Sequence, residues 1–382
     1  MTRAIDDLLS AAVASGEVPG VVAMAATDSG IVYQGAFGKR ALDKPEAMGF
    51  DTTLRLFSMT KAITGAAAMQ LVEQGKLSLD APIAELLPDL AAPKVLEGFD
   101  AAGQPRLRPA KGAITLRQLL THTAGFGYET WNADIKRYQE VTGIPGLSSG
   151  KLSSMNMPLT FDPGTAWEYS ISIDWAGRAV EAASGEDLET YFKRHIFAPL
   201  GMKDTAFIQS DDQRARRATV HQREADGGLR PMVLDRPDRG EFFGGGGGLF
   251  GTVPDYLAFT RALLAGGAPL VRPETMAEMA RNSIGDIDVV PLQSFVPERS
   301  ALADFWPGMK QKWGLTFLIN TGTTPQGRAP GSLSWAGLGN LFFWVDPTRR
   351  VTGVFATQVL PFFDPRTMRV FRDFETAIYK SL

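Results

Sequence analysis

Strand-like segments occur only at the two ends of the sequence, and this distribution restricts the fold more than any other feature. Near the start, VVAMAATDSG and IVYQGAFGKR read as two strands around an Asp-Ser-Gly turn, a hairpin pattern. After about residue 310 come WGLTFLI, SLSW, NLFFWVD and RVTGVFATQ. Between about residues 80 and 240 the pattern turns helical and loop-rich. Strands need partners, so the economical arrangement is one antiparallel sheet assembled from both ends. Helices predicted over residues 3–15 and about 366–380 flank it. The expected class is α/β in the broad α+β sense. Residues 1–80 and 240–382 would form a discontinuous sheet domain and residues 81–239 a mainly helical lobe, with the active site in the cleft between them. Shorter signals place a helix at ITLRQLLTHTAG with Thr115 as N-cap, helices at about 174–183 and 187–196, and one in VPDYLAFTRALLAGG with Pro254 near its start and Gly266 after its end. Residues 286–310 read as loop.

Composition removes several kinds of chemistry. With no cysteine, disulfides, thiolate metal sites and cysteine nucleophiles are excluded. The three histidines, His122, His195 and His221, show no ligand spacing, so no metal is expected. There is no GxGxxG after a strand and no Walker loop. The run Gly244 to Gly248 lacks the Lys-Ser/Thr of a phosphate cradle and reads as backbone lying close to a cleft. No organic cofactor is implied. A net charge of −3 gives no reason to expect nucleic acid or an anionic membrane as partner. No apolar run reaches the length of about 18 residues that suggests a membrane span. MTRAIDDLLSAAVASG reads as an acidic amphipathic helix rather than a signal peptide, so the expected location is cytoplasmic.

The chemistry centres on LRLFSMTKAITGAAAMQLVEQG, in which Ser58 and Lys61 head an otherwise apolar helix ended by Gly75. Positions i and i+3 share a helix face, so the two side chains can meet. A neutral Lys61 amine could take the serine proton, although free lysine titrates at about 10.4 and must be brought down. The helix N-terminus favours a developing negative charge at Ser58. The bland alternative is an N-capping serine beside a lysine that snorkels to water.

The run L-x-S-M-T-K with its alanine-rich helix, the turn EQGKLSLDAPI, and LLTHTAG downstream resemble the serine β-lactamase and penicillin-binding-protein superfamily, in particular the class C-like esterases called family VIII carboxylesterases. VLEGFDAAGQPRLRPAKGAITLRQLLTHTAGFGYE and IDWAGRAVEAASGEDLETYFKRHIFAPLGM are similar to the fungal acyltransferases that attach the statin side chain. The resemblance implies a β-lactamase/penicillin-binding-protein-like fold and a Ser-Lys-Tyr acyl-enzyme mechanism, with Tyr169 in WEYSI as the tyrosine near the pair. It also implies a W-x-G motif at Trp335, Ala336 and Gly337, with the backbone N–H groups of Leu338 and Ser58 as an oxyanion hole. Losing one such donor typically costs about 3–4 kcal/mol of transition-state stabilisation. Gly337 would let the strand edge approach the acyl group.

Two positions depart from the β-lactamase pattern. Trp335 stands where the lysine of K-T-G would be and Ile171 where the asparagine of Y-x-N would be. Both changes remove polar handles, which favours neutral esters over charged lactams. The main expectation is therefore a carboxylesterase acting on small-molecule esters of small to medium acyl groups, as a monomer or small homo-oligomer. The alternatives are an acyltransferase that passes the acyl group to an alcohol, or a weak to moderate β-lactamase. Phe126, Tyr128 and Trp131, which follow LLTHTAG, are candidate pocket residues or ordinary packing. His122 is expected to fix a turn near the cleft by hydrogen bonding.

A competing nucleophile is Ser148 in GLSSG, which fits G-x-S-x-G. An elbow of that kind needs a preceding strand and a following helix. Here KRYQEVTGIP precedes it and the polar, Pro-containing KLSSMNMPLTFDPG follows.

Overall fold

The computed structural model describes residues 2–234, 237 and 240–382. The elements that carry the main sheet and the site follow in this order: helix α1, Thr2–Ala14; strands β1, Gly20–Thr27, and β2, Gly30–Gly38; helices α2, Thr60–Glu73, α3, Ser172–Ser184, and α4, Val253–Leu264; strands β3, Gln311–Trp313, β4, Leu318–Asn320, β5, Leu333–Gly337, β6, Leu341–Asp346, and β7, Val351–Ala356; and helix α5, Pro365–Ser381. The seven strands form one sheet in the order β2-β1-β7-β6-β5-β4-β3, and every neighbouring pair is antiparallel. The first strand pairs with the last, Val22 opposite Ala356 and Thr27 opposite Val351.

β1, β5, β6 and β7 are buried over nearly their whole length, which explains their near-continuous apolar sequences. Side chains alternate across a strand, and β6 uses both faces. Phe342 stacks on Phe371 of α5 at 4.3 Å between ring centroids. Phe343, one residue on, meets Tyr256 of α4 at 5.3 Å on the opposite face. Thr252 caps α4, accepting from the N–H of Asp255, and Pro254 sits in its first turn. No helix among the described residues is long and apolar enough to cross a membrane.

α2 is enclosed on every side, with Thr60 through Leu71 all buried. Its small residues make that possible. A Cβ on Gly65 would run into Thr316 of the β3–β4 connection, and no larger side chain fits there.

Two sequence expectations change. WGLTFLI is two strands, not one. Leu315 N–H turns away to the carbonyl of Met279 at 2.9 Å, and Thr316 takes a φ of 77°, so the ladder breaks between β3 and β4. The middle of the chain also contains hairpins. Lys94–Phe99 pairs with Pro105–Pro109, and Val220–Arg223 pairs with Leu229–Met232. Val220–Arg223 additionally pairs in parallel with Val359–Leu360, which ties residues before 239 to the C-terminal segment. These strands are too short to show a period of two against the surrounding polar residues.

Candidate active site

Ser58 lies in a 3₁₀ turn, Phe57–Met59, that runs directly into α2. The preceding residue, Phe57, has a φ of 47°. A non-glycine residue in the left-handed region costs on the order of 1–2 kcal/mol. Neighbouring bonds hold it there: Leu56 N–H donates to the Leu249 carbonyl at 2.9 Å, and Met59 N–H to the Leu56 carbonyl at 3.1 Å. The Tyr256 hydroxyl donates to the Met59 carbonyl at 2.8 Å. Ser58 therefore stands half-buried on a turn fixed from both sides.

Lys61 is fully buried, with 0% of its surface exposed, which rules out the snorkelling alternative. Its Nζ donates to Ser58 Oγ at 3.2 Å, to the Tyr128 hydroxyl at 3.1 Å and to the Gly246 carbonyl at 2.6 Å. The Gly246 carbonyl can only accept, whereas the two hydroxyls can each donate or accept. The rings of Tyr169 and Tyr128 also face this nitrogen, 4.8 and 5.3 Å from their centroids.

The glycine run supplies one wall. Thr64, one turn along α2 from Lys61, donates to the Gly245 carbonyl at 2.7 Å. Gly246 N–H donates to Asp174 Oδ1 of α3 at 2.9 Å. A Cβ on Gly246 would strike the Asp174 carboxylate, and one on Gly248 would come within 2.6 Å of the Phe207 ring. Gly246 and Gly248 have no room for a side chain, whereas a Cβ on Gly247 would meet nothing closer than 3.7 Å. Its expected place beside a cleft is where the structure puts it, since Gly246 and Gly247 line the cavity that opens over Ser58.

That cavity has a volume of about 550 Å³, within the range of small-molecule sites. Apolar lining comes from Phe57, Trp131, Leu147, Val233, Leu338 and Leu360, and polar lining from Arg55, Glu129, Gln222, Glu298 and Arg299. Three contacts join residues 129–131 of its wall to the segment 295–300. Arg299 pairs with Glu129 at 2.7 Å, the Trp131 indole donates to Ser300 Oγ at 3.1 Å, and Phe295 N–H donates to the Thr130 carbonyl at 2.8 Å.

The remaining candidates divide. Leu338 borders the cavity with Ser58, and Tyr128 and Trp131 are part of its wall. Phe126 is core instead, 2% exposed and stacked on Trp175. Trp335 does not reach this cavity. It is 3% exposed, packs edge-on against Trp313 at 4.7 Å, and donates from its indole to the Tyr169 hydroxyl at 3.2 Å. The Tyr169 hydroxyl thus points to Trp335, while its ring faces Lys61. What approaches Gly337 is backbone and not open cleft: a Cβ there would lie 2.5 Å from the Leu56 carbonyl oxygen. Ile171 is buried just before α3.

His122 does fix a turn. It has a φ of 59°, its carbonyl accepts from Glu168 N–H at 3.0 Å, and its Nδ1 lies 3.3 Å from the Ser170 N–H. Complete burial, and next the charge of Lys61, push its pKa well below the ordinary value. Glu168, the neighbour of Tyr169, bonds Asn132 and Thr160, and burial raises its pKa.

Ser148 borders the same cavity but on a 3₁₀ turn, Leu147–Ser149, with no strand before it. The histidines are engaged elsewhere: His195 with Glu186 at 3.0 Å, and His221 with the N–H of Leu42 at 3.2 Å. The strand-turn-helix elbow is absent at this serine. Among the described residues, no group of three or more His, Asp and Glu side chains could hold a metal ion.

The beta-lactamase family model matches residues 5–377, and the chain belongs to that family. It is 35% identical over 385 residues to the monacolin J acid methylbutanoyltransferase of Aspergillus terreus, covering 96% of this chain and 93% of that one. To the lovastatin esterase of Penicillium rubens it is 33% identical over 380 residues, covering 94% and 93%. The solved unliganded structure of simvastatin synthase from Aspergillus terreus, a selenomethionyl derivative, superposes with a TM-score of 0.88 at 33% identity, covering 99% of this chain and 98% of that one. The fold is that of β-lactamases and penicillin-binding proteins, an antiparallel sheet between helices. The relatives include acyltransferases as well as an esterase, and the chain is an enzyme of the serine-hydrolase type.

Proposed function

We propose that the protein transfers acyl groups from small-molecule esters through a covalent ester on Ser58, with an alcohol as the principal acceptor and water as the competing one. The observation that carries this reading is the buried Lys61 amine held 3.2 Å from Ser58 Oγ at the wall of the cavity. Lys61 takes the proton of Ser58 as Oγ attacks the acyl carbon. The N–H groups of Ser58 and Leu338 hold the developing oxyanion. The Tyr169 hydroxyl returns the proton to the departing alkoxide. The acceptor alcohol then enters by the reverse of these steps, and a hard reaction becomes two easier ones.

The preference for an alcohol acceptor over plain hydrolysis draws support from the methylbutanoyltransferase relative, and the esterase relative accounts for water as the rival. The cavity also has room for an acceptor beside an acylated serine. Incubation with p-nitrophenyl butyrate followed by quenching and mass spectrometry should find a butyryl group on Ser58. Adding increasing primary alcohol should divert product from butyrate to butyrate ester. If butyrate remained the sole product at every alcohol concentration, transfer would be wrong and hydrolysis would stand. Turnover with no label on Ser58 would remove the acyl-enzyme.

A further inference from the structure

We propose that His122 is a positioning residue for Tyr169, holding the tyrosine ring against Lys61 so that its hydroxyl returns the proton to the departing oxygen. This rests on the acyl-Ser58 reading above and names the device that aims its tyrosine.

His122 grips Tyr169 through both of its chain neighbours. The N–H of Glu168, the residue before it, donates to the His122 carbonyl at 3.0 Å. The N–H of Ser170, the residue after it, donates to His122 Nδ1 at 3.3 Å. Between these two anchors the Tyr169 ring packs on the imidazole, 4.8 Å between centroids, and stands 4.8 Å from Lys61 Nζ. The imidazole cannot retreat, because it is fully buried and Trp313 meets it edge-on at 5.2 Å. The segment cannot drift either. Glu168 is tied by its carboxylate to Asn132 and Thr160, each at 2.8 Å, and Ser170 Oγ lies 2.7 Å from Ser172 Oγ at the start of α3. His122 itself has a φ of 59°, a strained conformation for a non-glycine residue, and the same contacts hold it there.

The ring acts by shape and by one hydrogen bond, not by proton transfer. Nδ1 accepts from a backbone N–H, so the neutral imidazole carries its proton on Nε2. That nitrogen is buried without a hydrogen-bond partner among the described residues, and His122 does not line the cavity. It therefore touches no reacting atom. Burial, and next the charge of Lys61, keep the ring neutral, so no second cation competes beside the amine. Phenylalanine would supply the flat face without the acceptor, and asparagine the acceptor without the face. Histidine supplies both.

The test uses two esters of one acyl group. p-Nitrophenolate departs without a proton near neutral pH; ethoxide does not. Asparagine tolerates a left-handed φ and keeps an acceptor for Ser170, so His122→Asn removes little but the ring. In that variant kcat/KM for ethyl butyrate should fall by about 10-fold or more, and that for p-nitrophenyl butyrate by far less. His122→Gln, which also displaces the acceptor, should shift the ratio between the esters at least as far. The ratio is read within one variant, so partial loss of folded protein cancels. In a Tyr169→Phe background, adding His122→Asn should leave the ratio where Tyr169→Phe alone has put it, since the two residues act through one hydroxyl. Equal losses on both esters in the single His122 variants would show a structural role only and overturn the proposal, and so would a further shift in the double variant. Butyryl-Ser58 in the wild type is measured alongside. If it is missing, the acyl-enzyme reading has failed; if it is present with an unchanged ratio, only the role of His122 has failed.

Discussion

Adding one methyl group at Gly337 should damage both stability and catalysis. The new Cβ would lie 2.5 Å from the carbonyl oxygen of Leu56. Carbon–oxygen contacts normally begin at about 3.3 Å, so roughly 0.8 Å of separation has to be found. Backbone lies on both sides, and neither gives easily. β5 is paired with β6 through Gly337 opposite Leu341. Leu56 is held by Leu249 on one side and accepts from Met59 on the other. Overpacking of this kind costs about 1–3 kcal/mol, or a few degrees in melting temperature. The catalytic effect is larger than the stability effect suggests, because Leu56 is two residues before Ser58 and Gly337 is one before Leu338. A displacement of about 1 Å between reacting groups can cost on the order of 10²-fold in rate. Thermal denaturation and p-nitrophenyl butyrate kinetics on Gly337→Ala provide the assay. Gly322→Ala serves as control, since its Cβ would meet only the end of Met309, at 3.4 Å. Wild-type melting and rate in Gly337→Ala would mean that the contact between strand and nucleophile turn does not position Ser58.

Other expectations can be checked directly. Ser58→Ala should abolish ester turnover while Ser148→Ala keeps most of it; the opposite pattern would make Ser148 the nucleophile. Burial depresses the pKa of His122 in the folded protein, so below its unfolded value of about 6.5 the unfolded chain binds the extra proton. Stability contributed by neutral His122 is therefore present above that pH and declines as pH falls, by up to about 1.4 kcal/mol per unit; urea titrations of wild type and His122→Gln from neutral to mildly acid pH should converge. Arg328 is buried, bonds the buried Glu375 and lies 5.4 Å from the Trp344 ring centroid, so Arg328→Met should cost about 3–5 kcal/mol. The double change with Glu375→Met should recover much of that loss on calorimetry. A chromogenic cephalosporin should turn over far more slowly than p-nitrophenyl butyrate, and efficient lactam turnover would show that the residues at positions 335 and 171 do not set the preference.

The sequence made visible what is local or strongly periodic. Buried strands such as VVAMAAT and NLFFWVD announce themselves by apolar content, and Ser58 and Lys61 are neighbours on one helix face. Thr115 was legible as a cap because its partner, Gln118, is three residues away, and both halves of the capping box form. What stayed hidden depends on distant chain. Lys61 finds Tyr128 67 positions away and Gly246 185 positions away, and no local pattern encodes either meeting. The orientation of the Tyr169 hydroxyl is decided by Trp335, 166 residues later. Phe126 and Trp131 carry the same aromatic signal a few residues apart, yet one is core and the other cavity wall, since only packing separates them. The break in WGLTFLI likewise has its cause in Met279.

The pairing of the first strand with the last gives the enzyme a temporal property. A growing chain presents Ser58 and Lys61 well before the strand bearing Gly337 and the strand opposite β1. Until they arrive, β1 and β2 have no sheet to join and the nucleophile turn has no strand to rest against. On the proposed mechanism, a nascent chain therefore holds Ser58 and Lys61 before the strand that would complete the oxyanion site. Closing a sheet between such distant strands is slow, because the loop-closure entropy has to be met before the pairing rewards it.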